Sequence, residues 1–343
     1  MPIVVHPWLE QPWRAILRRK ATLPHALLIR GREGIGKLDF ARKLAQSLAC
    51  DSPAEGGAAC DKCESCRWFG AGVHPDYREV VPEILRPAEA EDAEAKERKP
   101  SAEIRVEEVR ALQDFIGLTA HRAGGKTMVI YPAESLNVNA ANALLKNLEE
   151  PPPATRFLLV AHRPSSLPAT IISRCQQIVL PAPAAASAMQ WLREQGVADP
   201  ALNLAQTGNA PLAALALEDK AIWAQRKMLL QGLVAERIEP LALAEQVRDF
   251  PPAKLLGWLQ RWTYDLLSVK SARRVRYNPD YAQALARLAE RLHAVDIARF
   301  HRTLVREQRY ANHPLNARLY VEQMLIAYSM MVAGTRPDLR HVH

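Results

Sequence analysis

The spacing of apolar and polar positions changes character partway along the chain. In the N-terminal part, short apolar runs alternate with longer stretches of helical period: Ala26-Leu-Leu-Ile29, Lys126-Thr-Met-Val-Ile130, Phe157-Leu-Leu-Val-Ala161 and Ile178-Val-Leu180 are the runs. Between them, Lys37 to Ala49 reads as a helix. So does Val106 to Thr119, where Val106, Val109, Leu112 and Ile116 recur at helical spacing. Ala140 to Glu150 is a third helix, capped by Asn137 and stopped by Pro151-Pro-Pro153. Unbroken apolar runs separated by helices are what a parallel sheet covered on both faces requires, so residues 1–180 are predicted to form an α/β domain. A lead-in helix over Trp13 to Lys20 is expected to pack on it, with Trp8 and Trp13 turned inward.

From Pro181-Ala-Pro-Ala-Ala-Ala-Ser187 the composition becomes that of a linker, and no strand-like run follows. Residues 181–218 are predicted to be a small helical unit with its turn at Gly196 and Asp199-Pro200. Residues 219–343 are predicted to be all helical, with helices over Ala224 to Val234, Pro240 to Val247, Ala253 to Lys270, Tyr281 to Ala294, Ala298 to Tyr310 and Leu315 to Met331. Pro82 to Pro100 is rich in Ala, Glu and Lys, has no apolar face and reads as an exposed insertion.

A chain of 343 residues with 48% hydrophobic and 24% charged residues has the ordinary composition of a globular protein with more than one core. The net charge of +8 permits contact with nucleic acid or an acidic partner without requiring it. No apolar run approaches the ~18 residues of a membrane span. Glu10 and Arg14 follow too soon after the first residues for a secretory signal, so a cytoplasmic location is expected.

Chemistry concentrates in a few places. Gly31-Arg-Glu-Gly-Ile-Gly-Lys-Leu38 joins a strand to a helix in the pattern of a phosphate-binding loop. Gly31, Gly34 and Gly36 would let backbone N–H groups curl round the phosphates of ATP or ADP, with Lys37 beside them. The hydroxyl that normally follows the lysine and holds Mg²⁺ is replaced by Leu38. After the run ending at Ile130, where a hydrolysing enzyme places an Asp-Glu pair, stand Tyr131 and Pro132. Glu134 lies beyond the pair, in the position of a capping carboxylate. The loop is therefore expected to bind nucleotide, if at all, without hydrolysing it. Cys50, Cys60, Cys63 and Cys66 form C-x9-C-x2-C-x2-C, the spacing of four thiolates around one structural Zn²⁺ with no open position. Cys175 reads as a small core or turn residue. The basic run Lys270-Ser-Ala-Arg-Arg-Val-Arg276 reads as a solvated loop between helices, with DNA or an acidic partner as the alternative.

The run Ala140 to Pro152, the triplet Ser173-Arg-Cys175 and the cysteine quartet placed behind the phosphate-loop helix together resemble bacterial clamp-loader subunits of DNA polymerase III. The likeness is good through the small helical unit and weak beyond it. It implies an AAA+-type P-loop sheet domain with a zinc module at about residues 50–66, a helical lid over 181–218, and a helical collar over 219–343 through which subunits assemble. It also implies partners: gamma/tau motor subunits and a delta subunit in a hetero-oligomeric ring, with the sliding clamp and primer-template DNA reached through the complex, and no membrane. Arg174 then projects toward ATP held by a neighbouring subunit. Within that family the motor subunit carries an arginine where Thr207-Gly-Asn-Ala-Pro-Leu212 has Pro211. Leu38, Tyr131, Pro132 and Pro211 all depart from the motor pattern and agree with the family's non-hydrolysing stator. Two other functions fit parts of the pattern: a working ATPase in which Glu134 and a water replace the missing ligands, and a zinc-bearing DNA-binding protein.

Overall fold

A computed structural model describes residues 3–86, 100–217, 219–308, 310–311 and 316–334. Most of the insertion expected over Pro82 to Pro100 lies outside the described residues. The chain divides into two compact units, Met1–Ala184 and Ala185–His343.

The first unit is built on five parallel strands, β1 (Ala26–Arg30), β2 (Tyr77–Val80), β3 (Lys126–Ile130), β4 (Thr155–Ala161) and β5 (Gln176–Val179), in the order β2-β3-β4-β1-β5. Around it lie α1 (Glu10–Arg18), α2 (Lys37–Ala49), α3 (Glu64–Gly70), α4 (Val106–Gly117), α5 (Val138–Glu149) and α6 (Ala169–Arg174). Alternate strand residues Ala26, Leu28, Met128, Ile130, Phe157 and Leu159 share a core with Val109, Leu112 and Ile116 of α4, Leu144 of α5 and Ile171 of α6. The intervening residues Leu27, Ile29, Leu158 and Val160 are just as buried, and α2 packs against β1, β3 and β4. Helices on both faces explain the unbroken apolar runs; each large apolar side chain so buried contributes about 1.5–3 kcal/mol. Trp13 meets Phe40 of α2 edge-on at 5.4 Å. Asn137 caps α5 through Oδ1, which accepts from the Ala140 N–H at 2.8 Å.

The strand β2 and the short helices α3 and α6 were not predicted. β2 is an edge strand in which only Val80 is buried, so its sequence carries no apolar signature. It is tied to α2 by Glu79, which accepts from Arg42 Nε at 2.8 Å and Nη2 at 2.5 Å and from the Tyr77 hydroxyl at 2.7 Å. The helix α3 is capped by Cys63 and hidden inside the cysteine spacing. The lead-in helix starts at Glu10 instead of Trp13, because Pro12 is compatible with a first turn.

The second unit begins with α7 (Ala185–Glu194), α8 (Pro200–Thr207) and α9 (Pro211–Leu215), gathered on Ala188, Leu192, Val197, Leu204 and Ala214. Six more helices follow: α10 (Lys220–Leu233), α11 (Pro240–Gln246), α12 (Pro252–Ala272), α13 (Ala282–Arg291), α14 (Ala294–Glu307) and α15 (Ala317–Ala333). They enclose a larger core in which Trp262 and Tyr328 are fully buried. Trp262 Nε1 donates to the Tyr328 hydroxyl at 2.9 Å, which donates on to Leu233 O at 3.1 Å, so neither polar atom is orphaned. The linker expected over Pro181 to Ser187 gives way to helix already at Ala185. Helix α12 runs through Ala272, so the first three residues of the basic run, Lys270 to Ala272, are helical and not loop. No helix among the described residues is long and apolar enough to cross a membrane.

Candidate functional site

The sharp turn between β1 and α2 depends on glycine at two points. A Cβ on Gly31 would lie 2.5 Å from Leu180 O, where the chain leaving β5 passes beside the loop. Gly36 has φ +85°, in the left-handed region, and a Cβ there would lie 2.2 Å from His6 Cδ2. Gly36 also caps α2 without a side chain, which leaves the helix N-terminus facing the loop. Gly31, Gly34 and Gly36 lie in this turn, and Lys37 is the first residue of α2.

Lys37, however, is turned into the fold. It is 2% exposed, and its Nζ donates to Arg32 O and, at 2.7 Å, to His162 Nδ1. With Nδ1 accepting, the imidazole proton sits on Nε2, which donates to the Tyr131 hydroxyl at 3.2 Å. The two rings meet edge-on at 5.3 Å. Burial pulls the Lys37 ammonium down to about 8, against the opposing pull of Glu134 and Glu33. Burial, reinforced by the Lys37 charge, lowers His162 as well. On the other side of the loop, Trp8 Nε1 donates to Ile35 O at 2.9 Å, and His6 stacks on Trp8 and meets Asp39 at 3.1 Å.

Sequence reading missed His162 and His6. The sequence holds only half of the signal for His162, its place directly after the apolar run of β4; that β4 lies beside β1, whose carboxyl end carries the loop, comes from the sheet order. The positions that would serve hydrolysis hold other chemistry. Leu38 is apolar, and Tyr131 and Pro132 close β3. Glu134 spends its carboxylate on the turn after β4, accepting from the His162 N–H at 3.0 Å and the Arg163 N–H at 2.9 Å. Pro211 is the first residue of α9.

Arg174 ends α6, where Nη1 donates to Thr170 O at 2.9 Å and the guanidinium pairs with Glu149 at the end of α5. Among the described residues its hydrogen bonds and ion pair are with these two residues and Ser173, not with the phosphate loop.

The four cysteines converge. Their Sγ atoms all lie within 4.8 Å of one another, with 3.6 Å between Cys50 and Cys60, 3.8 Å between Cys50 and Cys63, and 4.0 Å between Cys60 and Cys66. Four thiolates at the usual zinc–sulfur distance of about 2.3 Å would sit about 3.8 Å apart at the corners of a tetrahedron. A disulfide needs about 2.05 Å, and all five cysteines are free. The N–H groups of Lys62 and Cys63 point at the Cys60 sulfur at 3.5 and 3.3 Å and draw its thiol down to about 6, whereas burial raises Cys50 and Cys66. The donor set can therefore hold a metal such as zinc, with all four positions filled.

The surroundings brace this knot. Asp76 N–H donates to His74 Nδ1 at 3.0 Å, so His74 Nε2 donates to Ser65 Oγ at 2.9 Å, and that hydroxyl donates to Ala49 O at the end of α2. The buried Asp76 carboxylate accepts from the N–H groups of His121 and Arg122, both at 2.8 Å. Lys20 reaches Ser47 O and Gly57 O, joining α2 to the loop between Cys50 and Cys60. Cys175 belongs to the sheet core, where burial pushes its thiol up to about 11.

The first unit is a parallel five-stranded sheet with a glycine-rich turn of the phosphate-loop pattern after β1, and helical segments follow it in the chain. Residues 9–184 match the family described as DNA polymerase III, delta subunit, and residues 220–329 match DNA polymerase III, delta subunit, C terminal. The chain is 40% identical to DNA polymerase III subunit delta-prime of Pseudomonas aeruginosa over 270 residues, covering 77% of each chain. It is 36% identical to that of Yersinia pestis over 274 residues, covering 76% of each. DNA polymerase III subunit tau of Salmonella typhimurium is 35% identical over 158 residues, which cover 46% of this chain and 22% of that one. The chain belongs to the family of DNA polymerase III delta-prime subunits.

Proposed function

We propose that the chain acts as the stator of an ATP-driven clamp loader, hydrolysing no ATP itself and presenting Arg174 to ATP bound by a neighbouring gamma/tau-type motor subunit. The observation that carries this reading is a phosphate loop that keeps its glycines and Lys37 while Leu38, Tyr131, Pro132 and Pro211 occupy the places hydrolysis needs. Arg174 supplied across a subunit boundary would stabilise charge on the transferred phosphoryl group. Its bond to Glu149 does not stand in the way: the side chains are 33% and 49% exposed, and exposed pairs are worth about 0–1 kcal/mol. ATP or ADP on the loop of Gly31, Gly34, Gly36 and Lys37 would be held without turnover, and Lys37 would exchange Arg32 O and His162 for phosphate oxygen.

The metal held by Cys50, Cys60, Cys63 and Cys66 is a structural Zn²⁺ in this reading, since no coordination position is left for a substrate. The separate apolar cluster of α7 to α9 supports a lid over residues 181–218, and the core of α10 to α15 supports a collar over 219–343 through which gamma/tau and delta subunits assemble. The sliding clamp and primer-template DNA are reached through that assembly. The test is Arg174→Ala in the reconstituted complex. ATP turnover at the site it faces should fall by roughly 10²-fold, whereas Glu149→Gln should leave turnover intact. Unchanged turnover in Arg174→Ala would overturn the assignment.

A further inference from the structure

We infer that the turn after α12 is a preorganised surface for the phosphodiester backbone of single-stranded nucleic acid, with Arg273, Arg274 and Arg276 as the phosphate contacts. The turn is held far more firmly than a connection requires. Arg273 ends α12 with φ +51°, a conformation a long side chain adopts only when its surroundings impose it. Those surroundings centre on Asp265, which is 0% exposed. Its carboxylate accepts from three consecutive backbone N–H groups, Arg276 at 2.8 Å, Tyr277 at 3.0 Å and Asn278 at 2.7 Å, and from Asn278 Nδ2 at 2.9 Å. Ser268 Oγ donates to Arg274 O at 2.6 Å and fixes the near end.

The same arrangement consumes the local negative charge. Asp265 faces backbone, and Asp280 is taken by the buried Arg226, whose Nη1 and Nη2 reach it at 2.6 and 2.8 Å. Arg273, Arg274 and Arg276 are all exposed, and among the described residues no carboxylate lies within 4.0 Å of their guanidinium groups. Three cations in four residues, without counter-charges and on a backbone already fixed, can meet a row of phosphates without the cost of ordering the turn itself.

The adjoining aromatic side chains favour nucleic acid over an acidic protein. Tyr264, 37% exposed, meets Tyr277 edge-on at 5.3 Å, and Arg276 lies 5.7 Å from the Tyr277 ring centre. An exposed ring beside guanidinium groups offers a base something to stack on, which an acidic helix has no use for.

The experiment is fluorescence anisotropy of the full chain with labelled oligo(dT) across a salt series. For the triple variant Arg273→Ala/Arg274→Ala/Arg276→Ala, loss of three contacts at about 0.7 each should lower the slope of log K against log salt by about 2, and low-salt affinity by roughly tenfold or more. Tyr264→Ala should weaken binding by about fivefold or more with the slope unchanged, as loss of stacking without charge requires. Arg274→Ala alone, with a slope change of about 0.7, serves if the triple variant melts early. A wild-type chain that does not bind oligo(dT), a slope that ignores the arginines, or arginine-dependent binding of polyglutamate but not oligo(dT) would each overturn the inference.

Discussion

Replacing Lys37 by Met should make the protein more stable, and the size of the gain should depend on pH. Lys37 is 2% exposed with two acceptors for its ammonium, Arg32 O and His162 Nδ1. Burial brings it from the ordinary 10.5 to about 8. At about 1.4 kcal/mol per pH unit, carrying that charge costs the folded state about 3 kcal/mol below pH 8. Methionine fills a similar volume without the charge but leaves His162 Nδ1 without its donor, which costs about 1 kcal/mol. The net gain is about 2 kcal/mol at pH 7, or a rise in Tm of about 4–8 °C for a unit the size of Met1–Ala184. Between pH 8 and 10.5 the unfolded wild-type chain holds a proton that the folded chain has released, so wild-type stability rises with pH across that window. The variant has nothing to titrate there, so the gap should close by about pH 9.5 and reverse to about 1 kcal/mol in favour of the wild type by about pH 10.5. Urea unfolding of both proteins at pH 7 and near pH 10 reads this directly. A variant less stable at pH 7, or a gap equal at both pH values, would refute the account of the loop.

Metal analysis of the purified chain should find about one zinc per chain, and Cys60→Ser should lose it and melt earlier; well under one equivalent in the wild type would remove the zinc assignment. Asp265→Asn should destabilise the second unit by about 3–5 kcal/mol in urea, because it turns an amide toward three N–H groups that need an acceptor. His74, His162 and His301 are all lowered by burial. The unfolded chain protonates them near 6.5, so their contribution should reduce Tm as pH falls below that value and be flat from there to about 8. His74→Gln should blunt the acid limb; an unchanged limb would show that His74 does not contribute to it.

Legibility in the sequence followed the strength of the physical signal. The span Lys126–Ile130 is apolar after its first two residues, and Lys37–Ala49 opens behind a glycine turn with a clear apolar stripe, so both were read with their observed bounds. The cysteine quartet was legible because metal geometry restricts ligand spacing. β2 was not, since an edge strand with one buried residue has no pattern to read. Asp265 was not singled out, although it falls on the same helical stripe as Trp258 and Trp262, three residues beyond the latter. The inward turn of Lys37 onto His162 joins residues far apart in the chain, which only the sheet order β4-β1 brings side by side.

The central claim, a P-loop subunit that works without hydrolysing ATP, is tested most directly by Mg-ATP turnover of the purified chain alone, with Lys37→Ala as the control for contaminating activity. The account predicts turnover no higher than that control. Turnover clearly above it would contradict the stator assignment and turn attention to Glu134 as a substitute ligand.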